Sequence, residues 1–226
     1  MVFLSAASAY TIALADDQIA SKIATEVIGN AMHRMGHQLS ISSNAIADAT
    51  HLAYTYKKEK SKMDAVFMNE KETLASIAEL GSPELKLYLK AQSQQIERIY
   101  EGNENVVEEQ MKLKALSLSI PAVELNLTEF EKKALEITPI PTQKAVGNGY
   151  GGYRKSLYGI SKADREKFLH PSLKRSTGEL RLLCNGQHNA LEIKKMIEAQ
   201  YPYDIEMEDV LNYLEILKIA GLVEYK

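Results

Sequence analysis

The stretch GSPELKLYLKAQSQQI, residues 81–96, joins a turn signal to a strongly periodic helical pattern. Ser82 is placed as an N-cap, and Pro83 as the first helical residue, where its missing N–H leaves no helical hydrogen bond unmade. Apolar residues follow at mixed spacings of three and four, namely Leu85, Leu89, Ile96, Ile99, Val106 and Leu113. The sequence therefore predicts that a long helix starts here and, after so short a turn, lies antiparallel to the helix before it.

The chain before this turn has the same helical texture. Its apolar positions are Ile19, Ile23, Val27 and Ala31, then Ile46, Ala49, Ala53 and Tyr56, and finally Val66, Phe67, Leu74, Ile77 and Leu80. Residues 1–116 are therefore predicted to form a mainly α-helical arm, a long antiparallel hairpin or bundle of coiled-coil type. Leu85, Ile96 and Ile99 can pair within the chain or between two chains, because the same pattern serves both.

The composition limits the classes of function. The chain has 226 residues, 45% of them apolar, and a formal net charge of −3, so no overall basic field attracts nucleic acid or anionic lipid. Cys184 is the single cysteine, which excludes an internal disulfide and a cysteine-based zinc cluster. No stretch approaches the roughly 18 to 20 apolar residues that a membrane-spanning helix needs, so no membrane span is expected.

The first residues, MVFLSAASAYTIALADD at 1–17, are moderately apolar. Ala13, Leu14 and Ala15 have the small-x-small form of a signal-peptide cleavage site, but no Lys or Arg precedes them and hydroxyl-bearing residues interrupt the apolar run. An amphipathic helix packed on a domain is therefore preferred over a secretory signal.

Residues 117–160 lack a sustained apolar period and contain Pro121, Pro139 and Pro141. This pattern is typical of an irregular connector, and a connector of this length is usually functional or wrapped over a neighbouring surface. Thr128 followed by Glu131 forms a capping box, which predicts one short helix over about residues 128–136.

The connector contains GNGYGGYR, residues 147–154, whose glycines match the G-x-G-x-x-G spacing of dinucleotide-binding loops. The preceding PIPTQKAV places two prolines where such a loop needs a buried strand, so no cofactor site is expected. The stretch is instead predicted to lie extended against a protein surface, with Tyr150, Tyr153 and Arg154 as the contacting side chains.

Residues 161–226 return to an orderly pattern. Ser161 is placed to cap a helix, Asn185 and Gly186 end another, and two further helices lead through Gly221 to a short strand over 222–225. This order predicts a small winged-helix-like domain. From residue 178 to 226, however, nine Asp and Glu outnumber five Lys and Arg, which argues against DNA binding.

Candidates for catalysis are few. His33 and His37 lie one helical turn apart, the spacing of two zinc ligands, but Arg34 stands where the H-E-x-x-H motif has its general base. His51 is the one further histidine that could serve as a third ligand. Cys184 lies in an apolar run and is predicted to be a core residue. We therefore assign no catalytic or cofactor-binding residue, and His33 and His37 are the metal candidates.

Three segments resemble the C-terminal, non-catalytic region of a bacterial subset of family twenty-eight of the metallopeptidases, the co-catalytic zinc aminopeptidases. The segment GELRLLCNGQHNALEIKKMIEAQYPYDIEMEDVLNYLEILKIAGLVEYK is similar to their small terminal domain, with Leu182 to Ile197 and Ala220 to Val223 as the matching runs. LSAASAYTIALADD followed by IASKIATEV resembles the helices after their catalytic domain. Arg154 to Gly159, before ADREKFL, resembles their connector.

This resemblance implies a chain without the family's α/β catalytic domain, which carries two zinc ions and would lie upstream of Met1. No zinc ligand or general base is carried onto any position, so zinc is expected only in that missing domain. The implied partners are a catalytic peptidase domain, a second copy of the chain, or a peptide. The location would be periplasmic or extracytoplasmic for an exported peptidase and cytoplasmic otherwise.

The alternative hypothesis is a free-standing protein of a different class. It would be a helical adaptor or a winged-helix regulator, and nucleic acid is not an expected partner because of the acidic C-terminal segment. The domain organisation expected under either hypothesis is a helical arm over 1–116, a connector over 117–160 and a small domain over 161–226.

Overall fold

The computed structural model describes residues 16–78, 82–201 and 203–226, with the backbone alone for 148–154. Over these ranges the protein is mainly α-helical, as predicted, with a two-stranded sheet. The chain divides into two compact units at the boundary between Glu124 and Leu125. The predictions for the segment before Asp16, and those for Leu80 and Gly81, lie outside the described residues.

The first unit contains helices α1 over Asp17–Ala47, α2 over Leu52–Ile77 and α3 over Pro83–Ser117. Local caps explain two of the helix starts. The Asp16 carboxylate accepts a hydrogen bond from the N–H of Ile19, and the Ser82 hydroxyl accepts one from the N–H of Leu85. Pro83 occupies the first turn of α3, so the predicted start of this helix is confirmed.

Contacts at the two ends of the bundle fix the directions of its helices. Asp17 at the start of α1 accepts from the backbone N–H of Ser82 at 2.8 Å, just before α3. Lys114 near the end of α3 donates to the carbonyl of Ala47 at 2.6 Å, at the end of α1. Helices α1 and α3 are therefore parallel and α2 is antiparallel to both, which extends the predicted antiparallel pair to a three-helix bundle.

Two apolar clusters fill the interior of the bundle. The first contains Ala20, Ala24, Ile28, Ala31, Met35, Leu74, Ile77, Leu85, Leu89 and Ile96. The second contains Ile46, Ala49, Leu52, Tyr56, Met63, Val107, Met111 and Ala115. The small alanines of α1 let its backbone approach α2 and α3 closely, so this part of the core is built from close helix contact as well as from large side chains.

The second unit begins with α4 over Glu129–Leu135, β1 over Pro139–Pro141 and α5 over Gln143–Tyr158. It continues with α6 over Lys162–Lys167, a 3₁₀ turn over Pro171–Leu173, α7 over Thr177–Leu183, α8 over Ala190–Gln200, α9 over Met207–Ile219 and β2 over Val223–Tyr225. Thr128 and Glu131 form the predicted capping box of α4, and Ser161 caps α6. Helix α9 is central, since Val210, Leu214 and Leu217 have no exposed surface.

Strands β1 and β2 pair antiparallel, with Ile140 opposite Glu224. The terminal strand was expected from the sequence, but its partner was not, because Pro139 and Pro141 argue against a central strand. Both strands of a two-stranded sheet are edge strands, where a missing N–H is tolerated. The other edge of β1 is also used, since the N–H of Gly186 donates to the carbonyl of Pro139 at 2.9 Å.

Helix α5 shows that the prediction of an extended stretch over 147–154 is wrong. The Thr142 hydroxyl accepts from the N–H of Ala145 and donates to the carbonyl of Gly221 at 2.8 Å, so the start of α5 is fixed to the turn before β2. The glycines of this stretch each disfavour a helix by about 1 kcal/mol, so anchoring by distant residues overrides local propensity. The irregular interpretation holds for residues 118–128 and not for 143–158.

Candidate interaction surface

Helix α3 has two apolar faces. The buried face contains Leu85, Leu89, Ile96, Val107, Met111 and Ala115 and packs into the bundle. A second set of large apolar side chains on the same helix is exposed: Leu87, Tyr88, Val106, Leu113 and Leu116. The exposed fraction of Leu87 is 71%, of Leu113 65% and of Leu116 76%, so the fold of the chain covers only a minor part of these leucines.

The exposed set lies on one side of the helix. At about 100° per residue, these side chains fall within an arc of about 100° that points away from the buried face. Ala91 and Gly102 lie in the same arc and are also exposed. We call this set, Leu87, Tyr88, Ala91, Gly102, Val106, Leu113 and Leu116, the outer face of α3.

The outer face consists of two apolar patches separated by a polar centre. The N-terminal patch is Leu87, Tyr88 and Ala91, and the C-terminal patch is Val106, Leu113 and Leu116. Between them lie exposed Gln95, Arg98, Glu101 and Asn105 and the bare backbone of Gly102, and exposed Glu109 lies within the C-terminal patch. Single exposed apolar residues are normal on protein surfaces, whereas apolar patches aligned on one helix mark an interaction site.

Gly102 is a second feature of this face, one that it shares with Gly29 and Gly36 of α1, where an added Cβ would also meet nothing within 4 Å. It lies in the interior of a 35-residue helix, and a Cβ added to it would meet nothing within 4 Å. Glycine in a helix interior costs about 0.5–1 kcal/mol relative to alanine. Nothing in the described part of the chain therefore requires a glycine here, although a close approach by another molecule would.

A polar cluster between α2 and α3 fixes which face of α3 points outward. The Lys60 ammonium contacts Asp64 at 2.8 Å and the hydroxyl of Tyr100 at 3.0 Å, and it also pairs with Glu104. The Tyr100 hydroxyl donates to Asp64, and its ring stacks on Phe67 with a centroid distance of 4.3 Å. Together with the buried apolar side chains, these contacts hold α3 in one rotation about its own axis.

The cluster shifts the ionisation of both its central groups. Burial alone would lower the pKa of Lys60, but attraction to Asp64 and hydrogen bonds to Asp64, Glu104 and Tyr100 outweigh it and raise that pKa above its usual range. Burial, together with the negative charge of Asp64, raises the pKa of Tyr100. Near neutral pH the lysine is therefore charged and the tyrosine neutral, as the hydrogen bonds require.

The sequence pattern of α3 does not separate its two faces. Leu85, Ile96, Val106 and Leu113 belong to one predicted seam, yet Leu85 and Ile96 are buried while Val106 and Leu113 are exposed. Leu85 and Ile96 thus pack within the chain, and Ile99 is partly buried against the same cluster. Two features of the sequence could have indicated the outer face. Val106 and Leu113 are seven residues apart and so lie on one side of the helix, and Leu87 and Leu116 are apolar residues that do not belong to the predicted seam.

The predicted metal candidates do not meet a third ligand. His33 and His37 are both exposed on α1, one turn apart. His51 lies at the start of α2, more than about 15 Å further along the α1 axis at 1.5 Å per residue. Among the described residues, no group of three or more His, Cys, Asp or Glu side chains is placed to hold a metal ion.

The predicted contact residues of the connector lie in helix α5. The side chains of Tyr150, Tyr153 and Arg154 lie outside the described residues, so their role as contacts stays a prediction. Cys184 is buried and its thiol donates to the carbonyl of Leu180 at 3.2 Å. Burial raises the pKa of this thiol to about 12, so it is a core residue and not an activated nucleophile.

The second unit contains an open groove with a volume of about 690 Å³ beside the end of α9. Lys144, Lys155, Asp164 and Ile219 are among the residues that line it. Lys144 donates to the carbonyl of Ala220 at 2.6 Å, where it satisfies the C-terminal end of α9. One of its two lysines thus has a structural role, and the Asp164 carboxylate accepts from the Ser161 hydroxyl at 2.6 Å, so the groove is a weaker candidate than the outer face of α3.

Helix α9 lies mostly in the core of the second unit. Eight of its residues are buried, among them Val210, Leu211 and Tyr213. Its exposed residues include Glu208, Lys218 and Ile219. Within the described ranges, no helix is both long enough and apolar enough to cross a bilayer.

Comparison with known proteins gives no family assignment. No protein-family profile matches the chain, and neither curated proteins nor solved structures show a significant match to it. The outer face of α3 is therefore assigned from its own geometry alone.

Proposed function

We propose that the chain is a non-catalytic interaction protein that binds through the outer face of α3. The observation that carries this proposal is a second set of large apolar side chains on one helix, exposed in two patches that flank a polar centre and Gly102. Each leucine on this face would gain about 1.5–3 kcal/mol if a partner buried it fully. The three-helix bundle supplies a rigid support for such a surface.

Site-specific photocrosslinking tests the proposal. A photoreactive amino acid is placed at Leu113, or at Leu182 as the matched control, since Leu182 is a similarly exposed leucine on α7 in the other unit. The chain is then irradiated in the cells that produce it. We expect protein adducts from position 113, whether to another protein or to a second copy, and few from position 182. Equal yields from the two positions, or no adduct from 113, would contradict the proposal.

A more specific form of this role is an accessory part of a zinc exopeptidase, supported by the resemblance in sequence. The matching runs, Leu182 to Ile197 and Ala220 to Val223, supply Cys184, Ile193 and Leu222 to the core of the second unit. Residues in a core are related to the fold of a protein and not to its activity. The resemblance therefore supports a shared architecture with the peptidase region. Mass spectrometry of the position-113 adducts tests it: a zinc peptidase chain is expected among them, and its absence favours the free-standing adaptor.

A further inference from the structure

We propose that the partner of the outer face of α3 is the outer face of a second copy, with the two helices antiparallel and crossing at Gly102. This inference rests on the proposed function, because it names the occupant of the same surface. It is argued from symmetry, shape and charge.

The two patches are complementary under a two-fold axis at Gly102. Gly102 lies midway in sequence between Tyr88 and Leu116, and also midway between Ala91 and Leu113. In a two-fold symmetric interface, residue i contacts residue j and residue j contacts residue i. The N-terminal patch of each copy therefore meets the C-terminal patch of the other. The dimer contains this contact twice, so both patches are buried in both copies.

The side-chain sizes along the face match the shape of two crossing helices. Helices that cross at about 20° approach closest at the crossing, about 8 Å apart, where a glycine permits contact of the backbones. Tyr88 and Leu116 each lie about 21 Å from Gly102 along the axis, where the helices have separated to about 11 Å. Large side chains are needed at that separation, and the outer face places them there.

The charges select the antiparallel orientation. Arg98 is exposed and forms no ion pair among the described residues. In the antiparallel pair it lies within about one helical turn of Glu109 of the second copy, which also pairs with Lys112 of its own chain at 2.8 Å, and the symmetric contact repeats this attraction. In a parallel pair, Arg98 would face Arg98 and Glu109 would face Glu109, so like charges would be opposed.

The size of the contact predicts a weak dimer. The segment from Tyr88 to Leu116 is about 42 Å long, and a helix is about 10 Å wide, so the contact covers on the order of 400 Å² per copy. Standard stable interfaces cover about 800 Å² per partner. We therefore expect dissociation in the micromolar range, and association must be measured over a range of concentrations.

Sedimentation equilibrium of the full chain provides the first test. The wild-type chain is expected to form dimers over the micromolar range, and Leu113→Glu to raise the dissociation constant at least about tenfold, because a charge replaces an apolar contact on each copy. Leu182→Glu is the matched control and should leave the dissociation constant unchanged. Circular dichroism of each variant verifies that the helices are intact.

Charge reversal and cysteine crosslinking test the orientation. Arg98→Glu should weaken the dimer, and adding Glu109→Arg should restore it, a rescue that a parallel pair would not show. Under mild oxidation, Gly102→Cys should form a disulfide-linked dimer with itself, whereas Ala91→Cys should link only when mixed with Leu113→Cys. Buried Cys184 does not interfere.

Substitution of the crossing residue completes the test. Gly102→Leu should abolish dimers by separating the helices, while Gly29→Leu, at an equally open helical glycine on α1, should not. A chain that stays monomeric at all concentrations, or Ala91→Cys that links to itself, would overturn this inference. Photocrosslinking distinguishes failure of the dimer from failure of the proposed function. Adducts from position 113 to another protein would support the proposed function and contradict the dimer. The absence of any adduct from this position would contradict both.

Discussion

Arg34 of α1 and Glu70 of α2 form a two-pronged ion pair, with Nε–Oε1 and Nη2–Oε2 distances of 2.5 and 2.6 Å. The two partners differ in burial, since 51% of the Arg34 side chain is exposed but only 5% of the Glu70 side chain. Water can solvate the guanidinium if its partner is removed, but it cannot reach the carboxylate. The pair therefore joins α1 to α2 through one half-exposed and one buried side chain.

This inequality predicts different costs for the two single substitutions. Arg34→Met leaves a buried carboxylate without its cation and should lower the free energy of unfolding by about 3 kcal/mol. Glu70→Gln leaves a half-exposed guanidinium and should cost about 1 kcal/mol. Urea unfolding followed by circular dichroism measures both, and equal losses would contradict the asymmetric account.

Alkaline pH should destabilise the protein through two partly buried tyrosines. Burial and the charge of Asp64 raise the pKa of Tyr100, and burial with the charge of Glu215 raises the pKa of Tyr225. In the unfolded chain tyrosine ionises near pH 10, so above about pH 10 the unfolded state releases protons that the folded state retains. The contribution of these tyrosines to the free energy of unfolding is thus fully present below about pH 10 and is lost as the pH rises above it.

The measurement is the free energy of unfolding as a function of pH. Tyr100→Phe should make its decline above about pH 10 less steep, because this variant has one less proton to lose on unfolding. The same substitution removes the hydroxyl that joins Lys60 to Asp64 and should cost about 1 kcal/mol near neutral pH. Tyr88→Phe, which removes an exposed hydroxyl, is the control. If it changes the alkaline decline as much as Tyr100→Phe does, the decline cannot be assigned to Tyr100.

Gly186 should be intolerant of a side chain. Its φ is +82°, in the left-handed region, and a Cβ would lie 3.3 Å from Cγ1 of Ile140 on β1. Gly186→Ala should therefore lower stability by about 1–2 kcal/mol. Gly178→Ala in α7, where the nearest atom is 3.9 Å away, should be neutral or slightly stabilising. Thermal unfolding of the two variants compares them, and similar midpoints would contradict the strain argument.

Cys184 should be protected from reagents in the folded protein. Its side chain is 2% exposed, and burial raises its pKa to about 12, so neither access nor a thiolate is available. Reaction with a thiol-specific disulfide reagent should be at least about 100-fold slower in buffer than in denaturing urea. Comparable rates in the two conditions would place Cys184 at the surface.

Local signals in the sequence identify the starts of α3, α4 and α6. Ser82, Thr128 and Ser161 were each predicted as caps, and each accepts a hydrogen bond from a backbone N–H three residues ahead. Such bonds join near neighbours in sequence, so residue type and spacing are sufficient to predict them. The antiparallel relation of α2 and α3 follows for the same reason, because the turn between them is short.

Features that depend on distant residues were not predictable in this way. Helix α5 forms across a glycine-rich stretch because Thr142 and Lys144 bond to Gly221 and Ala220, which lie more than 70 residues away in sequence. Strand β1 likewise exists through pairing with β2. Neither partner can be inferred from local propensity, which by itself favours irregular structure in both places.

The sequence by itself determined that the protein is mainly helical, where α3, α4 and α6 begin, and that α3 carries apolar residues along its whole length. Only the tertiary structure decided which of those residues are buried. The contacts of Lys60 and Asp64 with Tyr100 and the packing of the two apolar clusters hold α3 in one rotation, with Leu85 and Ile96 facing the core and Leu113 and Leu116 facing outward. The spacing of apolar residues in the sequence predicts that apolar faces exist. The packing of neighbouring helices decides which face stays exposed.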